Sequence, residues 1–193
     1  MKKLFIFSEI SVYLLFIIFD FLKINSTYIK YLGIVLCFLY TLYDHKPFKS
    51  IAMFFTLLAD LFLLVLNNHY SIGVSSFIIV QFIYFSYMSI NHKEIFKPFL
   101  LARIALLFIE ILILKLTDNF SLLNLLTIFY FLNLIVNLIQ SSVIKNKVLT
   151  VGLALFVCCD ICVGLHNILP TTTIASFLMW VFYLPSQVLI VLS

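Results

Sequence analysis

Two aspartates lie in the middle of long apolar runs, Asp60 within Leu57-Leu58-Ala59-Asp60-Leu61-Phe62 and Asp160 within Cys158-Cys159-Asp160-Ile161. A carboxyl group in such surroundings is costly, and its uses there are proton transfer, balancing a cation, or holding another polar group. Two carboxyls that meet can divide the work, one donating a proton as an acid and the other acting as base or anion. Gln81 and Gln187 sit in similarly apolar runs. Their amides can orient a water or a substrate oxygen but cannot trade protons near neutral pH. Tyr84 and Tyr183 lie one helical turn from these glutamines and accompany the same polar set.

The elements that must position these groups follow from composition. Of 193 residues, 64% are hydrophobic and 10% charged, against about 45–50% and about 25% in soluble domains. Mean hydropathy is +1.20. At about 20 residues per spanning helix, eight spans consume about 160 residues and leave no length for a separate extramembrane domain. The expected architecture is therefore all-α, one polytopic membrane bundle over residues 1–193. Breaking the apolar runs at charges, Pro and Asn gives spans near Leu4–Leu22, Tyr28–Tyr43, Phe48–Leu66, Ser71–Ile90, Pro98–Leu116, Phe120–Ile144, Val148–Ile168 and Thr172–Leu192. The runs are continuously apolar rather than alternating, which argues against a β-barrel. The first run carries Glu9, is long, and lacks a small-residue cleavage site, so it reads as a retained helix rather than a leader.

With eight spans and a cytoplasmic N-terminus, the inner segments hold nine basic residues and the outer ones hold Lys23, Lys30 and Lys115, which accounts for all 12. That bias predicts both termini in the cytoplasm. No basic run exceeds two residues, so nucleic acid is not an expected partner. On this topology Asp60 lies 11 residues beyond Lys49 and Asp160 lies 13 beyond Lys147, roughly 16 and 20 Å along outward helices. Gln81 is 10 residues past Ser71, roughly 15 Å along an inward helix, and Gln187 is comparably deep. In a hydrocarbon core about 30 Å thick these four groups form one central layer. An acidic outward helix followed by a Gln-bearing inward helix occurs twice, four spans apart. A parallel repeat and coincidence both account for this.

Other polar residues have plainer expectations. Arg103 and Glu110 share a helix face and suggest a structural Arg–Glu arrangement. Glu9 and Asp20 are expected near the interfaces, and Asn133 and Asn137, one turn apart, as interhelical glue. Cys158, Cys159 and Cys162 surround Asp160 without the distant ligands of a zinc site, so no metal and no cofactor are expected. With Cys37, these cysteines form no disulfide framework. The histidines (His45, His69, His92, His166) fall near helix ends. The Phe, Ile, Lys and Asn-rich composition points to an AT-rich bacterial genome, and hence to a bacterial plasma membrane.

Five segments, in order, carry a resemblance to the YhhN-like family of integral membrane lysoplasmalogenases. Lys46-Pro47 opens the third span. Thr56-Leu57-Leu58-Ala59-Asp60-Leu61-Phe62-Leu63-Leu64 resembles the family's Ser-Leu-Leu-Gly-Asp block, with Ala59 where Gly is usual. Gly73 to Tyr84 follows a Gly…Phe…His-x-x-Tyr pattern, with Gln81 in place of His. Gly152 to Asp160 resembles the second Asp block, with Cys159 where Ser is usual. The stretch Tyr183-Leu184-Pro185-Ser186-Gln187-Val188-Leu189-Ile190 resembles the closing Tyr-x-x-Ala-Gln-x-Leu-Ile motif. The resemblance implies cleavage of the vinyl-ether bond of a single-chain ether lysophospholipid to a fatty aldehyde and a glycerophospho-base. Asp60 and Asp160 would be the catalytic carboxyls, and Lys46, Gln81, Tyr84, Tyr183 and Gln187 would bind substrate. Vinyl ethers hydrolyse through an oxocarbenium-like cation, a transition state that glycosidases also meet with two carboxyls. Two other readings use the same aspartates: a small proton- or cation-coupled transporter, and a non-catalytic interaction protein in which they join helices.

Overall fold

The computed structural model describes residues 2–118, 120–168 and 173–193. Eight α-helices account for nearly all of them: α1 (Lys2–Phe21), α2 (Thr27–Tyr43), α3 (Pro47–Asp60), α4 (Tyr70–Asn91), α5 (Lys93–Leu116), α6 (Leu122–Val143), α7 (Lys147–Ile168) and α8 (Thr173–Leu192). There is no strand among the described residues. α3 runs on beyond Asp60 as a wider π-helical turn, Leu61–Val65, in which Leu66 N–H reaches back five residues to Leu61 O at 2.8 Å. Such turns inside helices are uncommon and gather at functional sites.

Local chemistry sets the helix limits. Pro47 occupies the first turn of α3, where its missing N–H would have had no helical partner. The hydroxyl of Ser121 caps α6 by accepting Asn124 N–H at 3.1 Å. Between helices the chain turns through left-handed residues at Lys23, His45, Asn67, His69, Asp118 and Lys145. Inside α8, Pro185 cannot donate to the carbonyl of Val181; the Tyr13 hydroxyl of α1 approaches that freed oxygen at 3.4 Å.

The eight helices match the eight expected runs. Six are long and apolar enough to cross a membrane: α1, α3 with its π turn, α4, α6, α7 and α8. α2 is shorter, at 17 residues. α5 is long, but Arg103 and Glu110 together with Lys97 or Lys115 put charges into its apolar stretch. Thr172, the expected start of the eighth span, lies outside the described residues. The chain is thus a multi-pass membrane helical bundle. Many large apolar side chains, among them Phe7, Phe21, Phe108 and Leu116, point outward, whereas Gln81, Gln140 and Gln187 are among the most deeply enclosed side chains. A lipid-facing exterior with a polar interior is how a bundle in a bilayer satisfies its polar groups.

Packing closes six helices into a ring in the order α2–α3–α4–α6–α7–α8 and back to α2. Outside it, α1 leans on α2 and α8, and α5 leans on α6 and α4. Advancing every helix number by four, with α5–α8 returning to α1–α4, reproduces this set of neighbours. Matching details stand about 100 positions apart. α3 and α7 begin at Pro47 and Lys147, the turns before them pass through left-handed His45 and Lys145, and Ser50 and Thr150 each bond the carbonyl four residues back, at 3.0 and 2.8 Å. The bundle therefore has the topology of two parallel four-helix units, which favours duplication over coincidence.

Close packing inside each unit relies on glycine. A Cβ on Gly73 of α4 would stand 3.2 Å from Ala59 O, and one on Gly152 of α7 would stand 3.1 Å from Ile190 N. Small residues at such crossings let backbones approach. At the ring's end, Lys49 Nζ donates to Ser193 Oγ at 3.0 Å and approaches Val191 O at 3.4 Å, placing a cation where the carbonyls of α8 end.

The basic-residue bias gives an expected topology that labelling can check. In a background without the four native cysteines, a cysteine at Asn68 should react with an impermeant maleimide added outside intact cells. One at Asn146 should react only after permeabilisation. The reverse pattern would contradict cytoplasmic termini.

Candidate functional site

Asp60 ends the regular part of α3, and its side chain is 4% exposed. The Tyr183 hydroxyl of α8 donates to its Oδ2 at 2.7 Å. Asp160, on α7 and partly buried, receives an equivalent bond from the Tyr130 hydroxyl of α6 at 2.6 Å. Both phenols pack against the Phe156 ring of α7, so the two Asp–Tyr pairs are neighbours, each Asp held by a phenol from a different helix. Bonds from neutral phenols fix a carboxyl's orientation without neutralising it, and they serve either protonation state.

Aromatic rings pack around these pairs. Phe156 lies 5.5 Å from Tyr183 and 6.4 Å from Tyr130 between ring centroids, and Phe77 lies 5.4 Å from Tyr130. Trp180 meets Tyr183 edge-on at 5.3 Å. Tyr31 of α2, 99 positions before Tyr130, also lies within electrostatic reach of Asp60, but its hydroxyl approaches Leu57 O at 3.4 Å instead.

The other expected site residues distribute unevenly. Gln81 and Gln187 are fully buried. Asn137 Nδ2 donates to Gln81 Oε1 at 2.9 Å, while Gln81 Nε2 and Gln187 Oε1 have no hydrogen-bond partner among the described residues. The Tyr84 hydroxyl is likewise buried and unpartnered among the described residues. Lys46 is not brought to the carboxyls. It precedes Asp60 by 14 residues, about 21 Å along the helix, and pairs with Asp44 at 2.8 Å. That bond holds the Asp44 carboxyl below its usual range.

One expectation needs correction. Arg103 and Glu110 do not pair: the guanidinium bonds Asn133, Asn137 and Gln140 of α6, and Glu110 has no side-chain partner among the described residues. Seven residues is two helical turns, too far for that pair once α6 offers a polar face to Arg103 alone. Glu9 is enclosed by its neighbours: it is 5% exposed, packed beside Gly33, with Cys37 Sγ approaching its Oε1 at 3.5 Å. Asn133 and Asn137 join helices as expected, both accepting from Arg103 of α5 while Asn137 Nδ2 donates to Gln81 of α4. Asp20, by contrast, pairs with Lys30 at 2.8 Å and bonds Ser26, as suits a helix end.

Tyr130 was missed by sequence reading. Its signal was a polar stripe at helical spacing, Tyr130, Asn133, Asn137 and Gln140, all buried along one face of α6. No cluster of three His, Cys, Asp or Glu side chains that could hold a metal ion occurs among the described residues. Two grooves, of about 300 Å³ (Phe48, Ile51, Ile79, Phe82, Ile83, Ser86) and about 210 Å³ (including Glu110 and Leu132), are almost wholly apolar, and neither is lined by Asp60 or Asp160.

Fold and site together define a polytopic membrane protein whose ring of helices holds two tyrosine-bonded aspartates. Within that class the chain can be assigned by sequence: the YhhN family model matches residues 25–193. The chain belongs to the YhhN family. No curated protein and no solved structure matches it.

Proposed function

We propose that the protein is a membrane hydrolase that cleaves the vinyl-ether bond of a lysoplasmalogen-type lysolipid in a bacterial plasma membrane. The observation that supports this reading is that Asp60 and Asp160 are each bonded by a tyrosine hydroxyl, and that the two tyrosines pack on one ring, Phe156. One carboxylic acid protonates the β-carbon of the vinyl ether, generating an oxocarbenium ion. The other, as carboxylate, stabilises that cation and takes a proton from the water that attacks it. The resulting hemiacetal collapses to aldehyde and alcohol, and the carboxyls exchange roles to restore the start. Asp60 is the more enclosed and suits the proton-delivering step; Asp160 is the more accessible and suits activation of water. A single acyl-like chain enters laterally between helices, and Gln81 and Gln187 orient the glycerol oxygens.

The two-unit topology also favours one rival, a proton- or cation-coupled carrier with its site between repeats. Purified protein in sealed liposomes separates the two. The hydrolase reading expects aldehyde and glycerophospho-base in equal amounts from a vinyl-ether lysolipid. Movement of lipid or ions without aldehyde would establish the carrier.

A further inference from the structure

We propose that Arg103 is a positioning residue which, acting through Asn137, sets the Gln81 amide as a hydrogen-bond donor to an oxygen of the bound lipid. The inference rests on the ring interior being the lipid site. Arg103 is 2% exposed on α5 with its guanidinium 4.5 Å from the Phe85 ring. No carboxylate pairs with it among the described residues. Its partners are the amide oxygens of Asn133, of Asn137 at 2.7 Å and of Gln140 at 3.5 Å, with the Asn133 carbonyl at 3.4 Å.

A guanidinium only donates, so each amide must turn its oxygen toward it. With Oδ1 facing Arg103, Asn137 has only its Nδ2 left for the other side, and this donates to both Gln81 O and Gln81 Oε1 at 2.9 Å. The polarity is then passed on: Gln81 Oε1 is used as acceptor, and Nε2 is left over as a donor. That Nε2 is fully buried and unpartnered among the described residues. A buried donor calls for an acceptor, which a lipid's ether, hydroxyl or phosphate oxygen supplies. Asn137 is thus held from two sides, by the Arg103 guanidinium at Oδ1 and by the Gln81 main-chain carbonyl at Nδ2; without the cation one of these holds is lost and the amide pair is less firmly set. A charge that never touches the ligand thereby helps to position the donor that the ligand meets.

The probe is a saturated 1-O-alkyl lysophosphocholine, which lacks the hydrolysable double bond. Its binding is read from fluorescence of Trp180, the single tryptophan, which packs on Tyr183. Arg103→Met and Gln81→Glu should each weaken binding about tenfold, and Arg103→Lys should recover to within about threefold of the parent. The double variant Arg103→Met/Gln81→Glu should bind no worse than Gln81→Glu alone, because the two act in series. With a vinyl-ether substrate, Arg103→Met should raise KM by the same factor and leave kcat within about threefold. Unchanged affinity in Arg103→Met, or losses that multiply in the double variant, would overturn the proposal. If Arg103→Met does not fold, Asn137→Asp decides the matter: it keeps an acceptor for Arg103 but removes the donor to Gln81, so parental affinity there would overturn it equally. Arg103-dependent binding without aldehyde release would retire the hydrolase reading alone. Absence of saturable binding by the unaltered protein would overturn the inference itself.

Discussion

Asp60→Asn or Asp160→Asn is expected to lower turnover of a vinyl-ether lysolipid by at least about a hundredfold, the scale of general acid–base assistance. Asparagine is nearly isosteric and keeps an oxygen for the hydroxyl of Tyr183 or Tyr130, so the helix-to-helix bond survives. What it loses is the ability to give up a proton or to carry negative charge. Folded yield and melting temperature should therefore stay near the parental values, since replacing a buried ionisable group by a neutral isostere need not destabilise. The double variant should lose far less than the product of the single losses, because two carboxyls serving one proton cycle act as a unit. Scaffolding aspartates predict the reverse: reduced yield or melting temperature, with activity per folded molecule retained. Kinetics on detergent-purified or nanodisc-held protein, with a melting curve for each variant, separates the cases.

Removing the phenols should produce the next largest effect. Tyr183→Phe leaves the aromatic contacts with Phe156 and Trp180 in place and deletes only the bond to Asp60. Tyr130→Phe does the same for Asp160 while retaining the ring's contact with Phe77. A hydrogen bond to an ionisable group contributes about 1.5–3 kcal/mol, so each change should cost about tenfold to a hundredfold in kcat if carboxyl orientation governs the chemistry. Tyr31→Phe serves as the comparison. It lies on α2, the counterpart of α6 in the first unit, but its hydroxyl approaches the Leu57 carbonyl, and turnover should change less than about threefold. Equal effects from all three would show that the phenols matter for packing rather than for the carboxyls.

Much of the fold was legible because a bilayer imposes length and hydropathy on each helix. The run Phe48–Leu66 became α3 with its π turn, and Ser71–Ile90 became α4, within a residue or two at each end. The fifth run was read as starting at Pro98, yet α5 begins at Lys93, since its first turn carries the charges Lys93, Glu94 and Lys97, which hydropathy reads as a connection. That Asp60 and Asp160 each bond a tyrosine of a neighbouring helix was not legible, because residue counts along a helix do not say which helices are neighbours, and the closed ring is a tertiary result. Tyr183 was found through a motif; Tyr130 required the contact itself. Arg103 was paired with Glu110 on helix periodicity, whereas its partners come from α6, which periodicity within α5 cannot reveal. That Glu9 packs into the α1–α2 contact beside Gly33 was not legible either, because position along α1 does not say which face a neighbour covers.

The claim that the Asp60–Asp160 pair adds a proton to a vinyl ether is tested most directly by running the reaction in heavy water and trapping the aldehyde as it forms. Proton delivery to the β-carbon predicts a single deuterium at carbon 2 of every aldehyde molecule, with formation of that labelled product lost in Asp60→Asn and Asp160→Asn. Aldehyde without deuterium at that carbon, or labelled aldehyde produced undiminished by both variants, would contradict it.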